Sequence, residues 1–285
     1  ATATCLYGTT YTLSTTDNIG CATTKIITLT TPPSVSSSFS GNQNICIGSA
    51  TTLTVNATGG VAPYTYSWTP SVNIAPTTGS VVTANPTSSI TYGVQITDAI
   101  GCVYTNTVGV NVNPLPSVSV TSSTTSICAG SPVTLTASGT ADTYTWNPGA
   151  IASNTATVNP TSTTVYTVTG TNTVTGCTKT ATLNINVNPV PTANAGPSQT
   201  ITCAVPTPTL SGSTGGGVTY SWTGFGIISG STTLNPVVNA VGTYDLTVTS
   251  AAGCSSSMVT TFVSQDTTPP SVSASATSSV ICDGV

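Results

Sequence analysis

The residues best able to do chemistry are nine cysteines: Cys5, Cys21, Cys46, Cys102, Cys128, Cys177, Cys203, Cys254 and Cys282. They stand singly and far apart, with no Cys-x-x-Cys pair and no histidine. A zinc site needs clustered ligands, so no metal is expected. Widely spaced single cysteines read instead as disulfides made in an oxidising compartment. Other chemistry fails on inventory. The ionisable set is two lysines (Lys25, Lys179) and six aspartates, without Arg, Glu or His. That excludes a familiar triad or an imidazole acid–base pair, so a non-enzyme without cofactors is expected. A Lys–Asn crosslink at Lys25 or Lys179 would lack an assisting glutamate, and Asp266 alone is thin support for a calcium joint.

The cysteines fall in a longer pattern. Cys128-Ala129-Gly130, Trp146, Asn159-Pro160, Tyr166 and Gly176-Cys177 form one set of landmarks. Upstream the set is Cys46-Ile47-Gly48, Trp68, Asn85-Pro86, Tyr92 and Gly101-Cys102; downstream it is Cys203, Trp222, Asn235-Pro236, Tyr244 and Gly253-Cys254. The first cysteines are 82 and 75 residues apart, and the Gly-Cys pairs recur after 81, 75 and 77. A period of this length is a domain copied in tandem. The chain therefore divides into the end of one repeat (1–31), three whole repeats (32–114, 115–189, 190–268) and the start of another (269–285), as a window from a longer array. Domains this small bury a modest core and call for covalent staples. With 3% charged residues the chain cannot hold phosphate, so neither nucleic acid nor an anionic membrane is an expected partner. No apolar run is long enough to span a bilayer.

Each repeat reads as strands. Alternation of Thr and Val, as in Val133-Thr134-Leu135-Thr136, suits a half-buried sheet, and no segment has helical periodicity. In the middle repeat the pattern predicts strands at 117–120, 133–137, 143–146, 155–158, 164–169 and 179–187. Asp17-Asn18-Ile19-Gly20 and Asp98-Ala99-Ile100-Gly101 are hairpin turns, with Thr173 and Ser250 expected at the Asp position of the later copies. Stiff Pro-bearing joints (Thr31-Pro32-Pro33, Pro114-Leu115-Pro116, Pro189-Val190-Pro191, Pro269-Pro270) separate the repeats. The fold class is all-β, a sandwich in each repeat.

Ala57 to Trp68, Ile96 to Cys102, Ile127 to Thr136 and Asp266 to Pro270 resemble the immunoglobulin-like and PKD-like repeats of giant surface adhesins from gliding bacteria. Such adhesins are exported by the type IX route. The resemblance implies immunoglobulin-like sandwiches with Trp68, Trp146 and Trp222 as packing residues on the third strand. A sugar-stacking platform is the alternative, since Tyr64 and Tyr66 share the strand face of Trp68. Tyr92, Tyr166 and Tyr244 would be tyrosine corners. Asp266-Thr267-Thr268 resembles an O-glycan acceptor, with Thr267 as the candidate.

The implied topology also bears on pairing. One bridge within each repeat (Cys46–Cys102, Cys128–Cys177, Cys203–Cys254) would join corners at opposite ends of a sandwich, about 20 Å apart, against about 7 Å tolerated between Cα atoms. A ladder between neighbours is favoured: Cys46–Cys177, Cys128–Cys254 and Cys5–Cys102. Both schemes stay open at this point. The functional expectation is an extended structural shaft of an extracellular, surface-attached adhesin. Its partners would be neighbouring repeats, lateral copies and some surface or polysaccharide ligand. A polysaccharide-binding module and the accessory domains of a large secreted enzyme are the alternatives.

Overall fold

Strand formation follows the alternation closely. Ile90–Thr97 buries Tyr92, Val94 and Ile96 on one face and turns Thr91 and Gln95 outward. Thr51–Thr58 buries Leu53 and Val55 in the same way. The computed structural model describes residues 10–30, 33–269 and 271–275. Every regular element among them is a strand. Cys5, Cys282 and the first proline of the Pro32-Pro33 joint lie outside the described residues.

In the first whole repeat, one sheet has the order Gln43–Cys46, Val103–Asn113, Ile90–Thr97, Thr65–Thr69. Gln43–Cys46 runs parallel to the last strand, with Asn113 opposite Cys46, while the other pairs are antiparallel. The second sheet has the order Ser36–Phe39, Thr51–Thr58, Val81–Ala84, Ile74–Ala75. Both sheets contribute to one core: Leu53, Val55 and Val82 from one, Trp68, Tyr92, Ile96 and Val110 from the other. Two sheets closed over a shared apolar layer make a sandwich.

The third whole repeat repeats the scheme. Its larger sheet runs Gln199–Ile201, Val259–Gln265, Gly242–Thr249, Thr219–Thr223, again with a parallel first pair. Leu210, Trp222, Tyr244, Leu246 and Val248 fill its core. The middle repeat has strands at Val118–Ser122, Val133–Gly139, Thr143–Asn147, Thr155–Val158, Thr164–Thr171 and Thr178–Asn188, each end within two residues of expectation. It also has Ser126–Cys128, three residues that the pattern does not announce, running parallel to the end of Thr178–Asn188. Upstream, Thr10–Thr16 and Ala22–Thr28 form an antiparallel hairpin.

The described residues group into two compact units. One holds the chain up to Ser119 with Ala137–Asn154 and Val168–Ala181; the other holds Val120–Thr136, Thr155–Thr167 and the chain from Thr182 onward. The middle repeat thus contributes strands to both. No helix among the described residues is long and apolar enough to cross a membrane.

Candidate functional site

The chemistry of the chain sits in two recurring turns. The first is the corner after the short parallel strand. Ser49 N–H donates to the Cys46 carbonyl at 2.9 Å, and Ser131 N–H to that of Cys128 at 2.9 Å. The third turn position is Gly48 (φ 85°) or Gly130 (φ 79°), which is type II geometry and explains the Cys-x-Gly spacing. The residue after each cysteine is pinned to the end of the last strand, Ile47 N–H to Asn113 O and Ala129 N–H to Asn188 O, both 2.9 Å. The third corner differs. Thr202 and Val205 exchange backbone bonds of 3.1 and 3.2 Å, so Cys203 lies inside the turn rather than at its start. It is exposed and free.

The second turn is the late hairpin. Asp98 N–H donates to Cys102 O (3.0 Å) and Gly101 N–H to Asp98 O (3.1 Å). Asp17 with Cys21 and Ser250 with Cys254 reproduce the pattern. The middle repeat departs from expectation: Asn172, not Thr173, takes the capping position. Its carboxamide oxygen accepts from Val174 and Thr175 N–H, and Gly176 N–H bonds Asn172 O at 2.8 Å. The loop there is one residue longer, which moves the capping side chain back by one.

Hairpin and corner meet covalently between successive repeats. Cys46 is bonded to Cys177, with Cα atoms 5.6 Å apart, and Cys128 to Cys254, at 5.5 Å. Both spans suit a disulfide, and each bridge lies within one of the two units. Cys177 and Cys254 are fully buried. Cys102, expected to pair with Cys5, instead carries a free and exposed thiol, as does Cys21. Their hairpins have the same backbone bonds, but no described corner cysteine is joined to them.

Aspartates fasten the hairpins to the loop before the tryptophan strand. Asp98 accepts from Ile100 and Cys102 N–H through one oxygen (3.0 and 2.8 Å) and from Val61 N–H through the other (3.1 Å). Burial pushes its carboxyl up, but the N–H donors of Cys102, Val61, Ile100 and Gly101 outweigh this and hold it below the ordinary value. In the middle repeat the polarity is reversed: Asp142, on the loop, accepts from the N–H and hydroxyl of Thr173, on the hairpin. Sequence reasoning missed this role for Asp142, because donor and acceptor have exchanged strands. Among the described residues no group of His, Cys, Asp or Glu side chains could hold a metal ion.

The conspicuous aromatics lie inside. Trp68, Trp146 and Trp222 are buried, and each indole N–H donates to a backbone carbonyl at 3.0 Å, of Gly79, Ser153 and Thr233. Tyr64 and Tyr66 pack against the same core as Trp68, so they form no exposed stacking face with it. Tyr92, Tyr166 and Tyr244 are buried too. Tyr92 Oη donates to Val72 O (2.8 Å). Tyr244 Oη lies 2.6 Å from Phe225 O and 2.7 Å from Ala240 O. Tyr92 therefore ties down the loop after the tryptophan strand, 20 residues upstream, whereas Tyr244 reaches both that loop, at Phe225, and Ala240 only four residues upstream, the short reach of a tyrosine corner. Thr267 is exposed, beside an Asp266 whose carboxylate caps Thr268.

These are immunoglobulin-like β-sandwiches in tandem. No protein-family model matches the sequence. No curated protein matches it either. Among solved structures the chain is similar to the I-band fragment I67–I69 from titin, at 12% identity over 83% of this chain and 99% of that one, TM-score 0.38. It is similar to the N-terminal eight Ig domains of Down Syndrome Cell Adhesion Molecule at 13% identity, covering 90% of this chain and 40% of that one, TM-score 0.47. A third is SGBP-B of the Bacteroides ovatus mixed-linkage glucan utilization locus, solved with a heptasaccharide, at 16% identity over 79% and 67%, TM-score 0.23.

Proposed function

We propose that this chain is part of the structural shaft of an extracellular adhesin attached to a bacterial surface. One observation carries the reading. Each bridge joins the first corner of one repeat to the late hairpin of the next, Cys46 to Cys177 and Cys128 to Cys254. Bridges of this kind fix successive repeats to one another, and they persist only where the environment is oxidising. The rest of the chemistry fits a spacer. The tryptophans are occupied in cores, and the chain has six acidic and two basic residues in 285. Binding of a surface or polysaccharide ligand would then belong to other parts of the adhesin.

The test is labelling of intact, unpermeabilised cells of the source organism with an antibody against this segment. Peptide mapping without reduction on the native protein accompanies it. The expected result is surface labelling together with linked Cys46–Cys177 and Cys128–Cys254 peptides. Labelling that appears only after permeabilisation, with all cysteines reduced, overturns the reading.

A further inference from the structure

The bridged cysteines occur along the chain in the order Cys46, Cys128, Cys177, Cys254, and the bonds join first to third and second to fourth. The two loops therefore overlap. From this we infer that the pair is an interlaced clamp, a built-in stop that limits how far the array extends under tension.

Three stretches of backbone connect one bridge to the other in parallel: 82 residues from Cys46 to Cys128, 49 from Cys128 to Cys177, and 77 from Cys177 to Cys254. Pulled from both ends, the chain can separate the bridges only until the shortest stretch is taut. At about 3.5 Å per residue that limit is about 170 Å. Without bridges, the 208 residues from Cys46 to Cys254 would reach about 730 Å.

Two consequences follow. The stretch from Cys128 to Cys177, which holds the strands Val133–Gly139, Thr143–Asn147, Thr155–Val158 and Thr164–Thr171, bears the final load, and bears it in reverse, from Cys177 back to Cys128. The two longer stretches stay slack. The strands of the first repeat between Cys46 and Cys128, with the core of Leu53, Trp68 and Tyr92, and those of the third between Cys177 and Cys254, with Trp222 and Tyr244, cannot be drawn straight while both bonds hold. Bridges closed within single repeats would leave every joint in series and shield nothing across it.

That the array meets tension in nature rests on the shaft reading; the stop itself rests on the bridges alone. Single-molecule force spectroscopy on the purified full chain, with peptide-tag handles at both ends, tests it. The fully extended length should rise by about 560 Å when dithiothreitol reduces both bridges, the 159 residues freed at about 3.5 Å each. Cys46→Ser should add only about 115 Å, because the 82 residues from Cys46 to Cys128 become taut, and Cys254→Ser about 100 Å, through the 77 residues from Cys177 to Cys254. Equal lengths with and without reductant would overturn the inference. So would a gain of about 195 Å on Cys46→Ser, the slack of a Cys46–Cys102 loop. Should a serine variant not fold, oxidised and reduced wild type still test the stop by a gain of about 560 Å, and a linked Cys46–Cys102 or Cys128–Cys177 peptide in the unreduced chain overturns it. Failure of surface labelling would leave this result untouched, and the reverse also holds.

Discussion

At the residue scale, each cysteine's state follows from its turn and from what the turn meets. Cys177 and Cys254 are fully buried in their bridges, whereas Cys21, Cys102 and Cys203 are exposed thiols. Iodoacetamide applied without reductant is expected to alkylate these three and to spare Cys46, Cys128, Cys177 and Cys254. A linked Cys128–Cys177 peptide would refute the pairing. Asp98 supplies a second prediction. Its folded pKa is depressed, so its contribution to stability is present above the unfolded value of about 3.9 and is lost as pH falls through the folded one. Asp98→Ala should therefore melt lower than wild type at pH 7, with the gap closing below about pH 4. An equal gap at pH 2 and pH 7 would show that the carboxylate's charge is irrelevant. The buried tyrosines act with the opposite sign. Burial raises Tyr92, Tyr166 and Tyr244, so their contribution is intact below about 10 and is lost as pH rises through the folded values.

At the element scale, what the sequence made legible was whatever depends on near neighbours. Val133-Thr134-Leu135-Thr136 alternates because one face is buried, and Val133 and Leu135 are indeed inside. The tryptophan and tyrosine landmarks lie in cores for the same reason. Ser126–Cys128 was not legible, since three residues carry no period and their strand exists only through parallel pairing with Asn186, Val187 and Asn188 some 60 residues later. Asp142 escaped notice because a clamp between two loops works with the carboxylate on either side. The joint is also enforced by sterics. A Cβ on Gly139 (φ 143°) would stand 2.0 Å from the Ser117 carbonyl oxygen, as one on Gly59 would stand 2.2 Å from that of Ser34. Gly139→Ala is thus expected to cost about 1–3 kcal/mol through strain and displacement of Ser117. Trp146→Ala, which empties a fully buried site, should cost about 3–5 kcal/mol. Urea unfolding measures both, and a Gly139→Ala variant as stable as wild type would show that the backbone there yields freely.

At the scale of the whole molecule, repeats of this size bury too little apolar surface to be strongly stable alone, and with 3% charged residues ion pairs add little. The bridges supply a different kind of stability. Closing a loop of 131 or 126 residues removes denatured-state entropy equivalent to about 5 kcal/mol each in the chain-entropy model. Because this acts on the unfolded chain, reduction should lower the unfolding midpoint while leaving the strand content of the native state unchanged. It should also make unfolding less cooperative between repeats, since Cys46–Cys177 and Cys128–Cys254 share the middle repeat. The expected result is one transition in oxidised protein, and a lower, broader or divided one after dithiothreitol, followed by circular dichroism during urea titration. A single transition at the same midpoint in both states would mean that the folded repeats, and not their covalent ladder, hold the array together.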